Sequence, residues 1–377
     1  MSAPKRPLRQ WVSVRGGSFD LRLGTSVLDE AGTLLKAAVG RPLGCALVCD
    51  ERVDTDVREL LRRNLTDQLF SVTVVVWDAA EGRTLAAAGR LCAELAGAGV
   101  TADDLVVAVG ADDLLAVVSF VCGAWCGGVS LASVPVGEAA LLRSTVMPRG
   151  LGAAGLDEAL AVAPASKYVL FDTEACRSFA PGGEHPAPSH EARALMAATA
   201  MATSEKSFEM LYDAAADLLA GDAEVRDQLL SDTLRSRGQL VSSTSAAVRQ
   251  SAGYGEAFAR ALVRVTCGAV DAGVALAEAL RFSGRLAAGV GQLTMESVLF
   301  QDDLLKRLGL PFAARAVDER ELCDALTREL LGRSRRMVMP LATALGRVRP
   351  TRVEAALLEE HVGAWCAAER ELAESKE

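Results

Sequence analysis

Histidine is nearly missing from this chain: there are three among 377 residues, His185, His190 and His361. The segment 191–360 has none, so the commonest acid/base group and metal ligand is not there to be used. Lysine is scarce too. Six of the 40 basic residues are Lys, at positions 5, 36, 167, 206, 306 and 376. The Ala-, Gly- and Arg-rich usage looks like a GC-rich coding bias, so Arg in place of Lys carries no function by itself. Positive charge is not in excess: the net charge of −9 speaks against a dedicated nucleic-acid binder. HExxH, a GxSxG elbow and a P-loop are all lacking. Residues 1–10 (MSAPKRPLRQ) have no apolar core of a secretory signal. The nine scattered Cys then read as reduced thiols, and the expected compartment is the cytoplasm.

What is present is the composition of a folded globular protein, 50% hydrophobic and 24% charged, long enough for two domains. Residues 114–137 carry no charge and imitate a membrane span. Gly123, Gly127, Gly128 and Pro135 break the run, which predicts a buried helix, a turn and a buried strand, with no membrane partner.

Up to about residue 180 strands and helices alternate. WVSVR and FDLRL flank Gly16-Gly17 and predict a hairpin. CALVCD, FSVTVVVW, DLVVAVG, VSLASVP and KYVLFD are apolar strands separated by helical stretches at 53–65, 82–98 and 113–126. This is the pattern of a mainly parallel sheet covered on both faces. Residues 180–190 (APGGEHPAPSH) form a Pro/Gly-rich break. Beyond it Ala, Leu and Val recur at helical spacing over 191–220, 223–252, 256–289, 292–308, 318–333 and 352–374, with one short strand expected at 335–341. The expected fold class is α/β plus all-α: a Rossmann-like domain over 1–180, then a helical domain over 181–377.

Several residues invite a functional reading, each with a plainer one beside it. The turn VAVGADD puts Gly110 and a helix N-terminus where a doubly wound fold seats a phosphate. Asp112 and Asp113 suit the positive end of that helix and would repel a pyrophosphate. Asp50 ends a buried strand, where a carboxylate either accepts ribose hydroxyls or caps the next helix. Cys122 and Cys126 are four apart on an expected helix and read as small buried hydrophobes. His185 and His190 read as part of a solvated loop, since a metal needs three or four converging ligands. Gly253-Tyr254-Gly255-Glu256 reads as an interhelical turn, with Arg260 spaced to pair with Glu256 at i+4. No acid/base constellation emerges from these residues.

The order of features resembles the 3-dehydroquinate synthase family, among the sugar-phosphate cyclases, from about residue 11 to 372. FDLRLG followed by CALVCDERV resembles the family's opening, where an Asp at the position of Asp50 contacts NAD. EGRTL resembles its GExxKSL, with Arg83 where the Lys stands. VAVGADDLLAVVSF resembles its GGGxxxDLxGF, keeping Gly110 and placing Ala116 at the Asp. SLASVPV resembles FxQVPTT, with Val136 and Gly137 at the two Thr, and KYVLFDT resembles AVLxDT. In the second half GYGEAFARAL resembles GHTxGHAI, AGVALAEALRFSGRLA resembles HGEAVxxGMxxAxxLA, and RLGLP resembles LGLP.

The resemblance implies an active-site cleft between two domains, NAD, a divalent metal held by one Glu and two His, and a homodimer through the first domain. By register Leu195 stands at the Glu, Glu256 at the first His and Ala272 at the second. Arg260 replaces the second His of GHTxGHA and cannot act as a base near neutral pH. Met147-Pro148-Arg149 stands at GGK, and Glu329-Leu330-Leu331 at DKK. The expectation is a degenerate member without metal, NAD or cyclisation, acting as a binding or regulatory partner, as a homodimer or with an active cyclase relative. One alternative is an active cyclase that uses NAD and metal. The other is an enzyme with new metal-free chemistry whose polar equipment is Arg149, Glu256 and Arg260. The candidate cofactor contacts, should the family activity be retained, are Asp50, Arg83 and Gly110.

Overall fold

The opening hairpin and the apolar runs of the first half become one seven-stranded sheet in the computed structural model, which describes residues 7–39, 44–148, 150–153, 155–175 and 187–375. Arg149, His185 and the boundary expected near 180 lie outside the described residues. The chain folds as two compact units. One comprises Met1–His185 and Leu230–Ser242, the other Pro186–Leu229 and Ser243–Glu377.

In the first unit β1 (Leu8–Val14) and β2 (Gly17–Gly24) form the expected antiparallel hairpin. The sheet continues in parallel from β2 through β9 (Ser166–Asp172), β6 (Ser130–Pro135), β5 (Leu105–Gly110) and β3 (Gly44–Asp50) to β4 (Ser71–Trp77) at the edge. Every residue of β5 is buried, as a strand covered on both faces requires. Alternation assigns the faces. Cys45, Leu47 and Cys49 pack with Leu35, Leu61 and Leu65 of α1 (Ala31–Val39) and α2 (Thr55–Asp67). Ala46 and Val48 pack with Leu91, Leu95 and Val117 of α3 (Leu85–Gly97) and α4 (Asp112–Ala124). Each such Leu withdrawn from water contributes about 1.5–3 kcal/mol.

The chain runs from β3 outward to β4, then crosses back to β5 on the other side of β3. The winding direction therefore reverses between β3 and β5. In open α/β sheets the crevice at the carboxyl ends of two such strands is where ligands bind. Asp50 ends one of these strands and Gly110 the other.

The uncharged stretch 114–137 resolves as expected into most of α4, a 3-10 turn at Trp125–Gly127 and β6. No helix among the described residues is long and apolar enough to cross a membrane. Cys122 and Cys126 do not share a helix face, which corrects the spacing argument. Cys122 is buried in α4, whereas Cys126 lies past its end, exposed and with φ of 51°. The first unit also contains a short helix α5 (Glu138–Ser144) and a hairpin of β7 (Gly150–Ala153) and β8 (Leu156–Ala161) that the sequence pattern did not reveal.

The second unit is helical, but shorter caps divide the expected long helices. Ser204 ends α6 (His190–Thr203) and caps α7 (Glu205–Ala220), accepting from the Ser207 N–H at 3.1 Å. The 223–252 stretch becomes α8 (Ala223–Ser242) and α9 (Ala246–Ser251). The 256–289 stretch becomes α10 (Glu256–Val265) and α11 (Ala272–Gly289), the latter capped by Asp271. Three further helices, α12 (Met295–Arg307), α13 (Glu319–Arg333) and α14 (Ala355–Glu374), complete it. The single strand expected at 335–341 is a hairpin, β10 (Val338–Ala344) with β11 (Arg347–Arg352).

Helix α8 is divided between the units. Its second half, from Leu230, joins the first, which corrects a purely sequential division of the chain. There Gly238 lies against β1 so closely that a Cβ would stand 2.4 Å from the Ser13 carbonyl oxygen. Beside it the buried Arg237 donates its Nε–H to the Leu142 carbonyl at 2.9 Å.

Candidate functional site

Ion pairs gather at the carboxyl ends of β3 and β5. Asp50, 2% exposed, neither caps α2 nor is left open: Asp54 provides that cap. Asp50 instead accepts from the Arg52 backbone N–H at 3.0 Å, from its Nε at 2.8 Å and from its Nη2 at 2.5 Å. Burial pushes the Asp50 carboxyl up, but these Arg52 bonds outweigh it and hold it below its ordinary value. Arg52 also feels the charge of Asp113.

Asp112 and Asp113 form the first turn of α4, whose N-cap is Ala111 with no side-chain cap bond. Their carboxylates complement the positive end of the helix. Arg83 binds them both, Nε to Asp113 at 3.1 Å and Nη1 to Asp112 at 3.4 Å, and reaches Glu158 at 3.1 Å. Ser144 donates its hydroxyl to Asp112. The Arg83 carbonyl accepts from the Gly152 N–H at 2.9 Å, which ties β7 to this corner. Gly110 has a packing reason of its own. A Cβ there would meet Leu114 at 2.7 Å and Asp50 at 3.0 Å. Asp50, Arg83 and Gly110 are thus brought to one crevice, with Arg52, Glu158 and Ser144 as partners that spacing did not reveal. Arg52 was within reach of a sequence argument, two residues from Asp50. Glu158 is 75 residues from Arg83 and left no local signal.

In the helical unit Glu256 and Arg260 meet at 3.6 Å, the pair that i+4 spacing anticipated. A second acid, unanticipated, organises the group. Glu329 of α13 is buried and takes Arg260 at 3.0 Å, Arg264 at 2.9 Å and Arg333 at 3.6 Å. The network clasps α10 to α13. Arg149, outside the described residues, cannot be added to it. Gly253-Tyr254-Gly255 is the interhelical turn expected, with the buried Tyr254 hydroxyl hydrogen-bonded to Gln301 at 2.8 Å.

The three positions aligned with metal ligands are a fully buried Leu195 in α6, Glu256 in its ion pair, and Ala272 opening α11 behind its Asp271 cap. Among the described residues no group of three or more His, Cys, Asp or Glu is arranged to hold a metal ion. The strand thiols offer no reactive alternative: burial pushes Cys45 and Cys49 up to about 12.

A further buried polar group sits among α11, α14 and the segment after α12. Glu278 accepts from Arg281 at 2.7 Å and from the Trp365 indole at 3.0 Å. Arg281 also donates to the Leu310 and Pro311 carbonyls at 2.8 and 3.0 Å and stacks on Phe312 at 4.1 Å. Glu369 of α14 lies close enough for its charge and that of Glu278 to oppose each other.

Comparison with known proteins places this geometry in context. No family model matches the chain. A 3-dehydroquinate synthase of Nitrobacter winogradskyi is 26% identical over 317 residues, 81% of this chain and 79% of its own. One of Corynebacterium glutamicum is 25% identical over 349 residues, 91% of this chain and 93% of its own. Among solved structures, a 2-deoxy-scyllo-inosose synthase complexed with carbaglucose-6-phosphate, NAD+ and Co2+ has a TM-score of 0.81 at 14% identity, covering 94% of this chain and 99% of that one. A 2-epi-5-epi-valiolone synthase from Streptomyces hygroscopicus with NAD+ and Zn2+ bound has a TM-score of 0.79 at 16% identity, covering 94% and 99%. The resemblance to the sugar-phosphate cyclases extends over most of the chain, in sequence and in fold.

Proposed function

We propose that this chain, similar over most of its length to 3-dehydroquinate synthases, keeps their fold without the metal- and NAD-dependent cyclisation and serves as a binding or regulatory partner. The partner is an active cyclase relative, or a second copy of the chain. One observation carries the reading. Where the resemblance calls for one Glu and two His, the chain has Leu195, Glu256 and Ala272, and Leu195 is sealed in the core. A catalytic zinc needs three protein ligands and an open fourth position. The one carboxylate present is held by Arg260, and Arg260 and Arg264 are themselves tied to Glu329. These side chains do structural work between α10 and α13.

The alternative of an active cyclase draws on the same relatives, and one assay separates the two. The purified protein is incubated with a heptulosonate phosphate substrate, NAD and Zn2+ or Co2+, and released phosphate is measured. No release above the protein-free control is expected. Metal-dependent release would overturn the proposal. Mixed with an active 3-dehydroquinate synthase of the same source, the chain is expected to co-elute with it in size-exclusion chromatography or to elute alone as a dimer. A monomer that leaves the active enzyme untouched would remove the partner role.

A further inference from the structure

We infer that the β3–β5 crevice is closed to dinucleotides by the chain's own carboxylates, which stand in for a pyrophosphate at the end of α4. The inference rests on the proposed loss of cyclisation only in that no step then requires the cofactor. The residues concerned are different ones, all in the first unit.

The strand order puts the ligand crevice at the carboxyl ends of β3 and β5, beside the N-terminus of α4. A pyrophosphate seated there needs small residues for close approach, free backbone N–H groups and cations with capacity to spare. The crevice meets these needs poorly. Of the turn Gly110-Ala111-Asp112-Asp113 only the first residue is Gly, and the space beside it is taken by Leu114 and Asp50. Asp112 and Asp113 already place two carboxylates in the first turn of the helix. Among the described residues, two guanidinium groups of the crevice are engaged, Arg52 with Asp50 and Arg83 with Asp112, Asp113 and Glu158.

Among these described residues, four carboxylates stand against two guanidinium groups, and together they present an incoming anion with net negative charge. The glycine losses alone would leave a weakened site. The ion pairs go further, because a pyrophosphate has to displace carboxylates from Arg83 before it gains that guanidinium.

The test is calorimetric titration with NAD and, separately, with inorganic pyrophosphate. Pyrophosphate reports on the crevice even if the adenosine and nicotinamide contacts have also been lost. The wild-type protein is expected to bind neither more tightly than about 1 mM. Asp113→Asn removes a half-exposed carboxylate whose ion pair is with Arg83; it is expected to fold normally and to tighten pyrophosphate binding at least ~10-fold. Asp112→Asn/Asp113→Asn together are expected to tighten it about 100-fold. Circular dichroism and thermal melting confirm that each variant is folded. Micromolar NAD binding by the wild type would overturn the inference, and so would a folded Asp113→Asn protein that binds pyrophosphate no better. A wild type that binds NAD yet releases no phosphate in the cyclase assay would sink this inference alone. Turnover in that assay would sink the function proposed above.

Discussion

Replacing Glu369 by Gln is expected to stabilise the protein at pH 8 and to leave it nearly unchanged at pH 5. Glu369 is 2% exposed. Burial raises its carboxyl most, and the neighbouring Glu278 charge raises it further. The Ala314 and Arg315 backbone amides and Arg281 pull it back, leaving it at about 7 against an ordinary 4.5. The folded protein therefore holds a proton here that the unfolded chain releases from about pH 4.5 upward. Stability from this group is fully present below that pH and is lost as pH rises through about 7. Above 7 the charged form costs about 2–3 kcal/mol, solvent screening included. Gln keeps the shape and removes the charge. Urea unfolding at the two pH values checks this. The midpoint of Glu369→Gln should exceed that of the wild type at pH 8 and match it at pH 5, with equal slopes. Equal differences at both pH values would refute the argument, because the effect would then be packing and not titration. Destabilisation at pH 8 would show that the charged carboxylate is needed by the backbone amides it faces.

Three further outcomes follow from the ion pairs and thiols. Asp50→Asn should cost about 1–2 kcal/mol at pH 7, and the cost should vanish on acidification. The Asp50 carboxyl is held below its ordinary value, so its contribution is present above the ordinary carboxylate range and is lost as pH falls through the lower folded value. A pH series of thermal melts tests that convergence. Glu329→Ala removes the acid shared by Arg260, Arg264 and Arg333 and should cost about 2–4 kcal/mol, whereas Glu256→Gln should cost less than about 1 kcal/mol. Comparable losses for the two would show that Glu256 is not the peripheral member. In the native protein an aromatic disulfide reagent should modify the exposed Cys126 and Cys267 but not Cys45, Cys49 or Cys122, which are buried. Rapid native-state labelling of the strand thiols would contradict their packing.

What could be read in advance was whatever the chain writes at short range. The β3, β5 and β6 strands are continuous apolar runs, and α4 carries its own first-turn acids, so their existence and order were plain. The β7–β8 hairpin was not, because GLGA and LDEALA show neither alternation nor a turn dipeptide that local rules recognise. β11, RVRPTR, reads as a charged loop until its partner β10 is known. Ser204 divides one expected helix into two because a hydroxyl that captures the Ser207 N–H competes with helix continuation. The site obeyed the same limit. The i+4 pair Glu256–Arg260 was legible from spacing, whereas Glu329, 69 residues from Arg260, had no local signature. Asp50 and Gly110 are recognisable from their strand ends, but only the sheet order makes them neighbours.

Helix α8 has a consequence for how the protein comes off the ribosome. Its first half belongs with the later helices and its second half, Leu230–Ser242, with the N-terminal sheet. A nascent chain that has released β9 still lacks the helix that seats Gly238 against β1 and Arg237 against Leu142. The N-terminal unit stays unfinished until Ser242 has cleared the exit tunnel. A gene cut near residue 180 would leave a fragment with its β1 flank uncovered, and a cut beyond α8 would split the second unit, so no single cut yields two complete units.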